Sequence, residues 1–363
     1  MTVVVGLGLQ QAFAYLVAAR RESASMAVSL AVLSGAVVGG IGVGIAWLLV
    51  LAFIEDESVS EVVRIALIAV PGSAIVMNTT GIVQGLRLGR RFNLSRLLYP
   101  SAYCVGIVGV ALFVNRVTPE ALASVYAVAS AVGAVGVYCL LPASLRRPAL
   151  PSRRFTYSAF RYGATAVAGG VAFAASTQLA VPLVGALAGL RETGYYAVAL
   201  SYAIPVTFVA SAIAIHSLPD VAAADRGTHG VLVRQRVRLT LITLLPIAVG
   251  AVIGAPILIP AVFGEQFRPS VVDAQVLVLA QSFRALANVL GDIARGLGHP
   301  LIPSLAETVG ILASIVLLAA LAPRLGGEGA AIAVTIATAG VAFLMTLGVR
   351  RALRSLPPSL QPG

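Results

Sequence analysis

The chain has 363 residues, 59% of them hydrophobic and only 11% charged, where a soluble domain carries about a quarter charged residues. Too few polar side chains remain to clothe a water-exposed surface, which excludes an ordinary soluble domain. The formal net charge of +11 does not point to nucleic acid either: all 25 basic residues are arginine, scattered in short gaps between apolar blocks with no interleaved aromatic residues.

The apolar blocks are long enough to cross a ~30 Å hydrocarbon layer at ~1.5 Å per residue. A helix closes its own backbone hydrogen bonds there, and the ~10-residue alternation of a membrane β-barrel is not seen. The expected class is therefore an all-α integral membrane protein of about eleven helices. In chain order the expected spans are residues 1–18, 26–53, 62–86, 94–115, 118–142, 157–187, 194–216, 237–263, 271–296, 301–322 and 329–349. Pro71, Pro182, Pro205, Pro246 and Pro256 fall inside spans, which is tolerated where neighbouring helices satisfy the freed backbone groups. The N-terminus lacks the basic n-region and cleavage site of a removable signal peptide.

The connectors test this count. Arginine-rich gaps (Arg20-Arg21; Arg87, Arg90, Arg91, Arg96; Arg146, Arg147, Arg153, Arg154; Arg226, Arg234, Arg236, Arg238; Arg350, Arg351, Arg354) alternate with poor ones around Glu55-Asp56-Glu57, Arg116, Arg191 and Arg268. Arg295 is alone in its gap and is the one weak step, followed by Arg324 near Glu328. A miscounted span would break the alternation, and the rich side is expected to be cytoplasmic. That places the C-terminus in the cytoplasm of a cell membrane and Met1 outside. The basic, proline-bearing connector 143–154 divides the chain into an N-terminal lobe of about five helices (1–150) and a C-terminal lobe of about six (151–363). A short echo, "GIVQGLRLG" (81–89) against "DIARGLG" (292–298), closes one span in each lobe, and parallel repeats of this kind are a transporter architecture. It pairs the third helix of the first lobe with the fourth of the second, so the first lobe is expected to lack an opening helix.

Several stretches resemble the polysaccharide flippases of the multidrug/oligosaccharidyl-lipid/polysaccharide (MOP) exporter superfamily, which also contains the MATE transporters. "LRETGYYAVALSYAIPVTFVASAIAIHSLPDVA" (190–222) resembles that family's eighth helix and following loop, through Gly194-Tyr195-Tyr196-Ala197-Val198-Ala199 and Leu218-Pro219. "VFGEQFRPS" (262–270), "RGLGHP" (295–300) and "APRLGGEGAAIA" (322–333) follow in order, and "QGLRLGRRFN" (84–93) matches in the first lobe. The resemblance implies two six-helix-type lobes around a cavity that opens alternately to each side. It implies a polyprenyl-diphosphate-linked oligosaccharide as cargo, moved outward for surface polysaccharide synthesis, and in some members coupling to an ion gradient (H+ or Na+), with polysaccharide-assembly enzymes as neighbours. Two departures stand out. The family's first helix has no counterpart, so the recorded start is expected to be late or the gene truncated. The seventh helix carries Gln178-Leu179-Ala180-Val181-Pro182 where many relatives place an acidic residue.

Ionisable groups inside a membrane are costly and often mark pathways. Gln281, Arg284, Asn288, Asp292 and Arg295 step by three and four residues, which puts them on one helix face. Two readings fit: a polar wall whose arginine forks donate to diphosphate oxygens, or a seam in which Arg284 is neutralised by a carboxylate. Arg161 recruits the diphosphate or snorkels at the interface. Gln178 binds sugar hydroxyls or a neighbouring helix, and Glu307 is a candidate protonation site. Asn78 and Gln84 are lesser candidates. Tyr195 and Tyr196 are expected at the outer interface, and the stretch 219–238 as a polar basic loop, either a topology signal or a segment lying on the membrane surface.

Enzyme chemistry has little support. His216, His229 and His299 show no HExxH pairing, and there is no GxSxG or P-loop. Cys104 and Cys139 sit singly in apolar blocks, and Glu55-Asp56-Glu57 with Glu61 reads as a solvated turn rather than an ion site. No cofactor or metal is expected. The alternatives to a flippase are a MATE-like small-molecule exporter, a membrane enzyme acting on lipid-linked sugars, or a non-functional fragment.

Overall fold

The computed structural model describes residues 8–20, 23–113, 117–147 and 149–355; Met1 and the start of the first span, Arg21, Arg116 and the C-terminal tail lie outside the described residues. Every regular element among the described residues is helical. In order these are α1 (Leu9–Ala19), α2 (Ala24–Phe53), α3 (Glu57–Leu67), α4 (Ala69–Gly85), α5 (Gly89–Phe113), α6 (Pro119–Leu140), α7 (Arg153–Gln178), α8 (Ala180–Ala188), α9 (Leu190–Ala203), α10 (Val206–Ala222), α11 (His229–Phe263), α12 (Ser270–Gly296) and α13 (Leu301–Arg354). They form two compact units, Met1–Val167 and Ala168–Gly363.

Among the described residues seven helical segments, α3 and α4 taken together as one, are long and apolar enough to cross a membrane, and two bent pairs qualify as one span each. One bend falls where a proline interrupts the ladder: α7 and α8 meet at 44° just before Pro182. The ladder is also broken at Ile204-Pro205, between α9 and α10. The last helix has 54 residues. At ~1.5 Å per residue it is more than twice the ~30 Å layer, and the non-helical Gly326 (φ 59°, ψ −136°) divides it into two spans. With the short apolar helix α1, the expected arrangement of about eleven spans is present. Exposed Leu33, Val37, Ile41, Ile45 and Leu48 recur every three or four residues along α2. Such a stripe needs lipid, not water, beside it.

In the first unit α4 packs closely on α1. Gly81 and Gly85, four residues apart, lie over Gln10 and Ala14: a Cβ on Gly81 would overlap the Gln10 carbonyl, and one on Gly85 would sit 2.8 Å from that of Ala14. Small residues at this spacing let membrane helices approach backbone to backbone. The sequence echo has a counterpart in geometry. After Gly85, the Arg87 N–H donates to Gln84 O (2.9 Å) and the Leu88 N–H to Val83 O (3.4 Å); after Gly296, the Gly298 N–H donates to Arg295 O (3.0 Å) and the His299 N–H to Ala294 O (2.9 Å). Both are Schellman ends, with Arg87 (φ 60°) and Gly298 (φ 83°) at the left-handed position. Gly296 also packs like Gly85, 2.7 Å from a built Cβ to the Leu218 carbonyl of α10. In each unit, then, the span ending in the motif rests on the span two places earlier.

Two expectations need correction. The stretch 219–238 is not a loop: α10 runs to Ala222 and α11 begins at His229, where His229 is buried with a ring nitrogen 3.0 Å from Val221 O. Arg236 forms an ion pair with Asp220, so these charges tie two helix ends together. Tyr196 is not at an interface but fully buried within the core of the second unit.

Asp56, in the expected acidic turn, caps α3: its Oδ1 accepts from the Ser58 hydroxyl (2.6 Å), the Ser58 N–H (3.0 Å) and the Val59 N–H (3.3 Å). These bonds, the Ser58 hydroxyl first, hold its carboxyl below the usual aspartate range. The unfolded chain lacks them, so the cap contributes fully at neutral pH and is lost as pH falls through the lowered value. Amide exchange in the first turn of α3 is expected to speed up on acidification, and Asp56→Asn, which caps without titrating, should remove that pH dependence.

Candidate functional site

The second unit holds a paired charge inside the apolar layer. Arg284 lies on α12 and Glu307 on the first part of α13, on either side of the turn 297–300. Counted along their helices they stand about 18 Å and about 9 Å from that turn, well within a ~30 Å layer. The Arg284 Nη1 donates to both Glu307 oxygens, at 2.9 and 2.7 Å, and the two side chains are 11% and 5% exposed. Helix α7 completes the site. Arg284 Nη2 donates to the Ser176 hydroxyl at 3.3 Å, and the guanidinium carbon lies 5.3 Å from the centre of the Phe173 ring. Phe173 and Ser176 are one helical step apart, so one face of α7 supplies both. That face comes close because Gly169 has no side chain: a Cβ there would stand 2.7 Å from Ser304 Cα on α13.

A guanidinium in this setting has its charge balanced and most of its donors satisfied, at a depth where an unpaired ion is very costly. The Phe173 face adds cation–π attraction. The arrangement makes the Nη1 side of the arginine fork available to an anion only if that anion displaces Glu307.

The structure separates the sequence-derived candidates. Arg284 and Glu307 come together, although they are on different helices. Asp292 does not serve Arg284; it pairs with Arg295 three residues on, at 2.7 Å. Gln281 and Asn288 are partly exposed and hydrogen-bond to no described residue. Arg161 and Gln178 are exposed, Arg161 without an ion pair among the described residues. Asn78, in the first unit, is buried and donates to Ser34 at 3.3 Å. Phe173 and Ser176 were not legible as site residues, since nothing in the periodicity of α7 says which helix it faces. Cys104 and Cys139 are free thiols, and among the described residues no group of His, Cys, Asp or Glu is arranged to hold a metal.

The fold is shared with solved membrane transporters. An outward-facing multidrug resistance MATE family transporter of the MOP superfamily superposes with a TM-score of 0.80 at 14% identity, over 98% of this chain and 84% of that one. A MOP superfamily transporter from Pyrococcus furiosus gives 0.80 at 13% identity, over 99% and 85%. The Vibrio cholerae MATE transporter VcmN in its bent form gives 0.78 at 15%, over 98% and 86%. No curated protein matches the sequence. At such identities the likeness establishes a MATE/MOP transporter fold and not a cargo. The sequence itself goes further, because the family model for polysaccharide biosynthesis proteins matches residues 1–272, about three-quarters of the chain; this multi-pass membrane protein with a transporter fold therefore belongs to the polysaccharide biosynthesis protein family.

Proposed function

We propose that the protein carries a lipid-linked oligosaccharide, a sugar on a polyprenyl diphosphate, from the cytoplasmic to the outer leaflet of the cytoplasmic membrane, by alternating access of two lobes, 1–150 and 151–363. The observation that supports this reading best is the Arg284–Glu307 pair, buried among apolar helices and bonded through two short contacts. In the empty state Glu307 neutralises Arg284, so the helices can move in a low-dielectric layer without an unpaired charge. An arriving diphosphate brings more negative charge than one carboxylate and matches the arginine fork, so it competes for Arg284. Glu307, once displaced, becomes the group that takes up a proton, or a sodium ion stands in for it. In this reading Ser176 and Phe173 hold the guanidinium while its partner changes. Gln178, Gln281 and Asn288 offer amides to sugar hydroxyls, Asp292 and Arg295 tie the end of α12, and Arg161 meets the diphosphate at the cytoplasmic side. The arginine-rich connectors and the C-terminus face the cytoplasm, where assembly enzymes deliver the cargo.

Expression in a cell whose own oligosaccharide flippase is deleted is expected to restore surface polysaccharide. Arg284→Ala should lower that restoration at least ~10-fold, in line with the ~1.5–3 kcal/mol of a charge-assisted hydrogen bond. Equal restoration by Arg284→Ala would remove Arg284 from the transport path. Export of organic cations from vesicles, indifferent to Arg284, would replace this cargo with a small molecule.

A further inference from the structure

A polar cavity lies wholly within the first unit. It has a volume of about 310 Å³ and sits where the end of α1 and the start of α2 meet the first turn of α7. Its polar lining is Tyr15, Arg20, Ser23, Ser152, Arg154 and Ser158. Among the described residues no carboxylate lines it, and neither Arg20 nor Arg154 forms an ion pair with one of them. In sequence the two flanking segments, Arg20-Arg21-Glu22 and Arg153-Arg154, carry four arginines against one glutamate.

This is an excess of positive charge at the ends of apolar helices, the depth at which lipid phosphates lie. Arginine forks match phosphate oxygens, and the hydroxyls are set to assist. The Ser152 oxygen accepts the Phe155 N–H at 3.2 Å, which caps α7 and leaves the hydroxyl proton free to donate. The N-terminal end of α7 adds its positive dipole. Tyr15 is held as a fixed wall by stacking on Tyr162, ring centres 4.9 Å apart and 12° from parallel. Met26 and Phe155 give the cavity an apolar side, where the first carbons of a lipid chain would lie. The volume is at the lower end for ligand pockets, enough for a phosphate or diphosphate group and not for an oligosaccharide.

We propose that this cavity binds the phosphate or diphosphate headgroup of a membrane lipid through Arg20 and Arg154. The assignment does not depend on what the protein transports. The test uses the full chain in nanodiscs of phosphatidylcholine, with two probes, a polyprenyl diphosphate and phosphatidylglycerol, and native mass spectrometry as the readout. The double variant Arg20→Gln/Arg154→Gln is expected to bind at least one probe ~10-fold or more weakly, with an unchanged melting transition, and Arg20→Lys/Arg154→Lys to keep part of the affinity. Ser158→Leu, which narrows the cavity without altering charge, should weaken the same probe. Loss confined to the polyprenyl diphosphate identifies a carrier-lipid site, and loss of both identifies a general anionic-lipid site. Unchanged binding of both probes in the double variant and in Ser158→Leu, or no binding to the wild-type chain, overturns the proposal. Failure here leaves the transport reading standing, because that reading is tested at Arg284.

Discussion

Replacing Glu307 with alanine is expected to destabilise the second unit by about 3–5 kcal/mol, the cost of stranding a buried charge. Among the described residues Arg284 would keep the Ser176 hydroxyl and the Phe173 ring as partners, neither of which carries the charge of the lost carboxylate. Arg284→Met together with Glu307→Leu removes both charges and keeps the volume, and should recover most of that stability, since well-packed apolar residues often match a buried pair. Transport should not recover. The two readings of the polar face part here: a purely structural seam would regain function along with stability, whereas a cargo site would regain stability alone. Denaturant titration in lipid nanodiscs, with surface polysaccharide measured on the same variants, checks both halves.

The second large effect belongs to the first unit. Gly81→Leu is expected to separate α1 from α4, because its Cβ would overlap the Gln10 carbonyl and backbone cannot yield as a flexible side chain can. Overpacking of a buried contact costs about 1–3 kcal/mol, occasionally more, and this position falls at the upper end. Gly85→Leu, with the Ala14 carbonyl 2.8 Å from its Cβ, should be nearly as harmful. Gly40→Leu and Gly44→Leu on α2 provide the control: a Cβ on either meets nothing within 4 Å, and both should be tolerated. Yield of folded protein in detergent separates the two pairs.

Much of the fold was legible because a bilayer imposes simple rules. The spans follow from apolar length and their number from the arginine alternation; even the echo of Gly85 and Gly296 marks two identical helix ends. The interruptions were less visible. Pro182 marks a bend and Pro205 a break between two helices, but the break at Ile68 precedes Pro71 by three residues, and Gly326 looks like any glycine in a connector. The polar site was half legible. Periodicity put Arg284 and Asp292 on one face, yet a face is shared by residues that need not touch. The contact that formed joins positions 23 apart in sequence, and Gly169 admits α7 to it through a contact that no helical period encodes. Arg20 and Arg154 read only as topology signals, because their shared cavity is made by segments more than a hundred residues apart.

The most direct measurement is transbilayer movement of the cargo itself. Proteoliposomes carrying the wild-type chain and a fluorescent polyprenyl-diphosphate-linked sugar would be exposed to a reductant that cannot cross the membrane. The wild-type protein is predicted to bring the inner-leaflet probe within reach of the reductant, and Arg284→Ala to hold it back to the level of protein-free vesicles. Half of the probe remaining protected with the wild-type protein, or equal bleaching with Arg284→Ala, would contradict the account.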